Sequence, residues 1–171
     1  MTAAQRLWWE QAKSDLARFD ALRKENAPPC PQCHLLHYLE MATEKLGKAY
    51  FWRSGKVPPK SHVGFVRFLK ALLDRRQAEL ELISNAFGFK RVEDFESWVK
   101  SIQPLAYSLQ KMAPAEAGNN QNPEYPWPHE APIYCPAAYE FPLWTSLSKS
   151  GQGRKFLLLI EKAVAEFDRY A

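Results

Sequence analysis

At 171 residues, with 46% hydrophobic and 25% charged side chains, the chain has the size and balance of one globular domain with a sizeable core. Its longest apolar run, 156–160, is far shorter than the roughly 18 residues of a membrane span, which excludes a transmembrane helix. A formal net charge of +4 is too mild to argue by itself for nucleic acid or an anionic surface.

In chain order, Thr2 and Gln5 have the spacing of a capping box, and a first helix is expected to run to about Lys24. Leu7, Trp8, Ala12, Leu16, Phe19, Leu22 and Arg23 trace its inward stripe. Trp8 and Trp9 cannot both point inward, so one lies at the edge or against a partner. The stretch 26–29, Asn-Ala-Pro-Pro, ends this helix. A long second helix follows from about Cys33, with Pro31 tolerated in its first turn. Leu35, Leu39, Ala42, Leu46, Ala49 and Arg53 recur at three- and four-residue steps. Glu44 precedes Lys48 by one turn, the favourable order for an ion pair. Gly55 ends the helix, Pro58 and Pro59 prevent its continuation, and Ser61 caps the next one at His62.

The third helix is expected from about His62 to Asp74, apolar at Val63, Phe65, Val66, Leu69, Leu72 and Leu73 and basic at Arg67, Lys70, Arg75 and Arg76. Ala78, Leu82 and Phe87 keep a rough period, which leaves one continuous helix or two open. After a stop at 85–88, Phe95, Trp98, Val99 and Ile102 mark a further amphipathic segment. Pro104 either kinks it or begins the piece 105–112 afresh. Seven prolines then fall between Ala113 and Pro142, a density no helix survives. Tyr125, Trp127, Ile133, Tyr134, Tyr139 and Phe141 are too many large apolar groups to leave in water. The interval 113–144 therefore reads as an irregular strap packed on the bundle, with room for short β pairing. A last helix is expected from about Gly153 to Tyr170, inward at Phe156, Leu157, Ile160, Ala163, Val164 and Phe167.

One motif goes beyond patterning. Glu44-Lys45-x-x-Lys48-Ala49, followed by Gly55, Pro58 and His62, resembles the central signature of HEPN domains, an E-K-x-x-K-A helix followed by a G-x-x-P-x-x-H turn. Upstream, Trp9 with Gln11-Ala12-Lys13-x-Asp15-Leu16 resembles the first HEPN helix. The resemblance covers residues 7–73 and implies a helical bundle, often dimeric, tied to RNA cleavage, nucleotide handling or toxin–antitoxin pairing. HEPN ribonucleases would carry an arginine followed four to six residues later by histidine in a late helix. None of the ten arginines here has such a partner, and His129 stands in the strap away from them. The chain departs from the catalytic pattern, so the reading leans away from an enzyme; a ribonuclease built on His62 or His37 is the alternative.

The cysteines and histidines bound the remaining chemistry. Cys30-Pro31-Gln32-Cys33-His34 matches the C-x-x-C-H haem-attachment spacing. That attachment belongs to exported proteins, and the first residues, broken by Arg6, Glu10 and Lys13, have no secretory pattern. Cys30, Cys33, His34 and His37, with Cys135 as a further donor from the strap, offer zinc ligands, but Cys33, His34 and His37 share one helix and complete a tetrahedron poorly. A zinc-stabilised structural module is thus a second alternative, and no cofactor is expected. Three cysteines are an odd count, which fits free thiols and a cytoplasmic location. No pair of carboxylates stands out.

The sequence therefore predicts an all-α, up-and-down, HEPN-like single domain over 1–171. It is expected to be non-catalytic or divergent, to form a homodimer, and to bind a partner protein, nucleotide or RNA in a toxin–antitoxin or defence setting. The binding residues expected are His37, Met41, Glu44, Lys45, Lys48, Trp52 and His62, a stripe whose plainer reading is an amphipathic flank with snorkelling lysines.

Overall fold

The computed structural model describes residues 1–25, 29–52, 64–118, 120–128 and 133–170. They form a helical bundle: α1 (Ala3–Arg23), α2 (Gln32–Trp52), α3 (Gly64–Leu73), α4 (Gln77–Ala86), α5 (Val92–Gln110), α6 (Pro114–Ala117), α7 (Pro142–Lys149), α8 (Gly151–Ala165) and α9 (Phe167–Tyr170). Two-residue strands β1 (Trp127–Pro128) and β2 (Ile133–Tyr134) pair antiparallel, Trp127 opposite Tyr134. One turn of 3₁₀ helix follows at Pro136–Ala138. No helix among the described residues is long and apolar enough to cross a membrane.

α1 starts as its capping box dictates. Gln5 N–H donates to Thr2 Oγ1 at 3.2 Å and Thr2 N–H to Gln5 Oε1 at 2.8 Å. Ala12, Leu16, Phe19 and Leu22 are buried along α2. Leu7, expected inward, is 73% exposed. The tryptophans divide: Trp9 Nε1 donates to the Val164 carbonyl at 2.7 Å and packs on Phe167, whereas Trp8 sits half-buried beneath the Lys48 ammonium, 4.9 Å from its ring centre.

α2 is the central post. It contacts α1, α3, α5, α8 and the 136–138 turn, and it is buried nearly all round rather than along one stripe, as a helix with neighbours on every side must be. α3 crosses it at a glycine contact: a Cβ on Gly47 would lie 2.6 Å from the Gly64 carbonyl carbon, so only hydrogen fits there. Arg53, Gly55, Pro58, Ser61 and His62, which carry the expected helix stop and turn, fall outside the described residues.

The question left open at 74–87 resolves to two helices, broken at Asp74–Arg76, with Ala78 and Leu82 exposed. α5 runs unbroken through Pro104. Proline costs that turn one backbone bond, and buried Phe95, Val99, Ile102, Ala106 and Leu109 on either side hold the helix together.

The strap is shorter and more structured than its prolines suggest. α6 forms inside it with Pro114 in the first turn, and the helical fold resumes at Pro142, where α7 was not expected. Both prolines stand where a helix has no N–H to lose. Trp127 and Phe141 are buried, Tyr134 and Tyr139 half-buried, but Tyr125 and Ile133 remain 60% and 74% exposed. The expected last helix, 153–170, is two pieces, α8 and α9. Ser150 caps α8 by accepting the Gly153 N–H at 2.8 Å. Gly153 lets α7 approach: a Cβ there would lie 2.2 Å from the Ser146 carbonyl oxygen. At Glu166 the backbone leaves the helix (φ −115°, ψ 44°) before α9.

Candidate functional site

The most unusual chemistry in the described residues lies along α2. Glu40, Glu44 and Lys45 are 3%, 7% and 8% exposed, and burial of charge is costly unless it is paired. Glu44 spends both carboxylate oxygens on lysines. Oε2 lies 3.2 Å from Lys45 Nζ, and Oε1 accepts from Lys48 Nζ one turn on. Lys45 Nζ also approaches Met41 Sδ at 3.1 Å. Glu40 stands one turn before Glu44, and Thr43 Oγ1 donates to the Glu40 carbonyl at 2.8 Å.

The strap completes the cluster. Asn122, itself buried, accepts the backbone N–H groups of Glu124 and Tyr125 at 3.0 and 2.8 Å through Oδ1, a side-chain-closed turn. This turn holds Glu124 Oε1 3.2 Å from His37 Nδ1. The distance suits an ion pair with the protonated imidazole, although the alignment is not that of a hydrogen bond. The His37 ring meets Tyr38 edge-on at 5.1 Å.

The described part of this cluster therefore holds three carboxylates, Glu40, Glu44 and Glu124, near two ammonium groups, Lys45 and Lys48. Glu40 is the carboxyl that keeps a proton. Burial first, and then the Glu44 charge, push its pKa from 4.5 up to about 8; Glu124 adds to the rise, while Lys45 and Lys48 oppose it. A carboxyl that changes charge near neutral pH is a feature of acid–base sites and also of buried structural networks.

Of the expected site residues, the fold brings His37, Met41, Glu44, Lys45 and Lys48 into this one region of α2. Trp52 is half-buried at the helix end, and His62 lies outside the described residues. Cys33 is buried, Cys30 half-buried and Cys135 exposed. His37 turns to Glu124 rather than to the thiols. Among the described residues no three of His, Cys, Asp and Glu are grouped to hold a metal. Sequence reasoning missed Glu40, Glu124 and Asn122. Glu40 had a signal, since Glu40, Glu44 and Lys48 follow at four-residue steps; Glu124 had none, because only the folded strap delivers it.

A groove of about 720 Å³ lies elsewhere, bordered by Tyr50, Arg75, Arg76, Glu79 and Arg169. Its arginines are paired within the chain. Arg75 and Arg76 pair with Glu79, Arg169 pairs with Glu166, and Arg75 also donates to the carbonyls of Arg169 and Tyr170 at the end of α9. It is a clasp on the last helix. No protein-family model, curated protein or solved structure matches the chain.

Proposed function

We propose that the chain is a HEPN-like, non-catalytic helical module that self-associates through the half-buried rim of α2 and presents that face to its partners. The reading is supported by one observation. His37, Met41, Lys48 and Trp52, at steps of four, seven and four residues, are all half-buried, and the half-buried Trp8 ring lies under Lys48. Rings and a thioether left partly in water on one helix face are the composition of a protein interface. The lysines beneath them favour protein over phosphate. Lys45 and Lys48 both contact Glu44, so little of their charge is left to attract a nucleotide or RNA. The sequence resemblance over residues 7–73 implies a bundle that is often dimeric, which agrees with self-association.

Native mass spectrometry and light scattering across micromolar concentrations test the reading. A dimer is expected, at least tenfold weaker in Met41→Glu and Trp52→Glu at unchanged helicity. A monomer at all concentrations, or a dimer indifferent to both substitutions, would sink it. A second reading, acid–base cleavage of RNA, is favoured by the Glu40 carboxyl alone. Labelled RNA incubated in EDTA decides it: cleavage abolished by Glu40→Gln or His37→Ala would establish the enzyme.

A further inference from the structure

The start of α2 carries two thiols on one turn. Cys30 Sγ donates towards the Pro31 carbonyl at 3.6 Å, and the same carbonyl accepts the His34 N–H at 3.1 Å. The His34 amide also faces the Cys33 thiol. The Cys30 thiol thus lies at the Pro31 carbonyl, and the Cys33 thiol beside the N–H that bonds to that carbonyl. Positions three apart in a helical turn have Cβ atoms about 5–6 Å apart, and a disulfide needs about 3.5–4.5 Å, a gap the non-helical Cys30 can close by rotation of its own backbone.

Access to the two differs. Cys30 is half-buried and borders a groove of about 450 Å³ between the end of α1, the start of α2 and the 136–139 segment, lined by Leu22, Gln32, Ala137 and Tyr139. Cys33 is 2% exposed. A reagent entering the groove meets Cys30, whereas Cys33 does not line it. Gln32, between the two cysteines, accepts the Phe141 N–H at 2.8 Å through Oε1, so the end of the strap is tied to this turn.

We propose that Cys30 and Cys33 form a thiol–disulfide exchange couple whose co-substrate is a low-molecular-weight disulfide of the glutathione type. The Cys30 thiolate attacks one sulfur of that disulfide. A mixed disulfide forms, and the other half leaves as a thiolate that takes up the proton released by Cys30. Cys33 then loses its proton and attacks the Cys30 sulfur, closing the Cys30–Cys33 bond and releasing the second small thiol. Two protein thiols are oxidised and one external disulfide is reduced to two thiols. Burial, with Glu25 beside it, raises the Cys30 thiol above its usual range, and burial also raises Cys33. The thiolate fraction at neutral pH is small, so the couple exchanges slowly.

The test exposes the purified full chain to oxidised glutathione, traps remaining thiols with N-ethylmaleimide and maps the peptides by mass spectrometry. The expected product has lost two hydrogens, has its bond between Cys30 and Cys33, and keeps Cys135 alkylated. Cys33→Ser should stop at a stable glutathione adduct on Cys30, and Cys135→Ser should oxidise like the parent. A bond that includes Cys135, loss of oxidation in Cys135→Ser, or three alkylated thiols after exposure would each overturn the proposal. Circular dichroism of each variant distinguishes lost chemistry from lost fold, and Cys33→Ala serves as a second variant where Cys33→Ser does not fold.

Discussion

The charged seam of α2 and the aromatic strap solve opposite problems. The seam is regular backbone that buries awkward side chains. Glu44 sits beneath two lysines, and Glu40 carries a proton because burial, and then the Glu44 charge, penalise its ionised form. The strap is irregular backbone that buries favourable ones. Trp127 meets Tyr134, Tyr139 and Phe141 at ring separations of 5.9, 5.1 and 6.0 Å. Ring burial drives folding outright. Burial of an ion network at best breaks even against an apolar core of the same shape, so a network of this kind stabilises little in itself while making its own disruption expensive. The strap is where stability is gained, and the seam is where the molecule is sensitive to charge.

Substitutions can break that contrast. The largest effect is expected from Trp127→Ala, which removes the ring that three others pack against; about 3–5 kcal/mol should be lost in denaturant unfolding. Titration of Glu40 comes next. Its carboxyl is raised in the folded state, so between about 4.5 and about 8 the folded chain holds a proton that the unfolded chain does not. Stability is therefore full below the lower value, falls as pH rises through this window and is level above it, by an amount on the order of 5 kcal/mol. Glu40→Gln should flatten that slope, and an unchanged pH profile would show that Glu40 ionises normally. Glu44→Gln leaves Lys45 and Lys48 with a neutral partner and should cost about 3 kcal/mol, with little change in Trp127 fluorescence if the two regions are independent. Gly47→Ala forces α2 and α3 apart and should cost about 1–3 kcal/mol, read as a lower melting temperature. Tyr125→Ser and Ile133→Ser, at exposed strap positions, should leave stability within about 0.5 kcal/mol; a larger loss would mean that those residues are covered in an assembly.

Much of the helical architecture was legible. α1, α2 and the core of α5 follow from apolar residues at three- and four-residue steps and from one capping box, because local backbone bonding and one buried face suffice to define a helix. α7 was not legible: its eight residues hold two serines and a threonine, and its apolar face is narrow, so it forms where Leu143 and Leu147 find a core to enter. Of the site, the E-K-x-x-K pattern located Glu44, Lys45 and Lys48 on one helix but could not show whether they point to water or inward.

By itself the sequence determined the helical class, the capping box of α1, the position of the long central helix and the concentration of rings between β1 and α7, since these depend on residues near one another in the chain. Only the tertiary structure decided that α2 is enclosed on nearly every side, that Glu124 crosses from the strap to His37, and that Glu40 keeps its proton. Those outcomes depend on which distant segments exclude water from α2, and the cost of burying a charge is set by the whole enclosure rather than by the residue's neighbours in sequence.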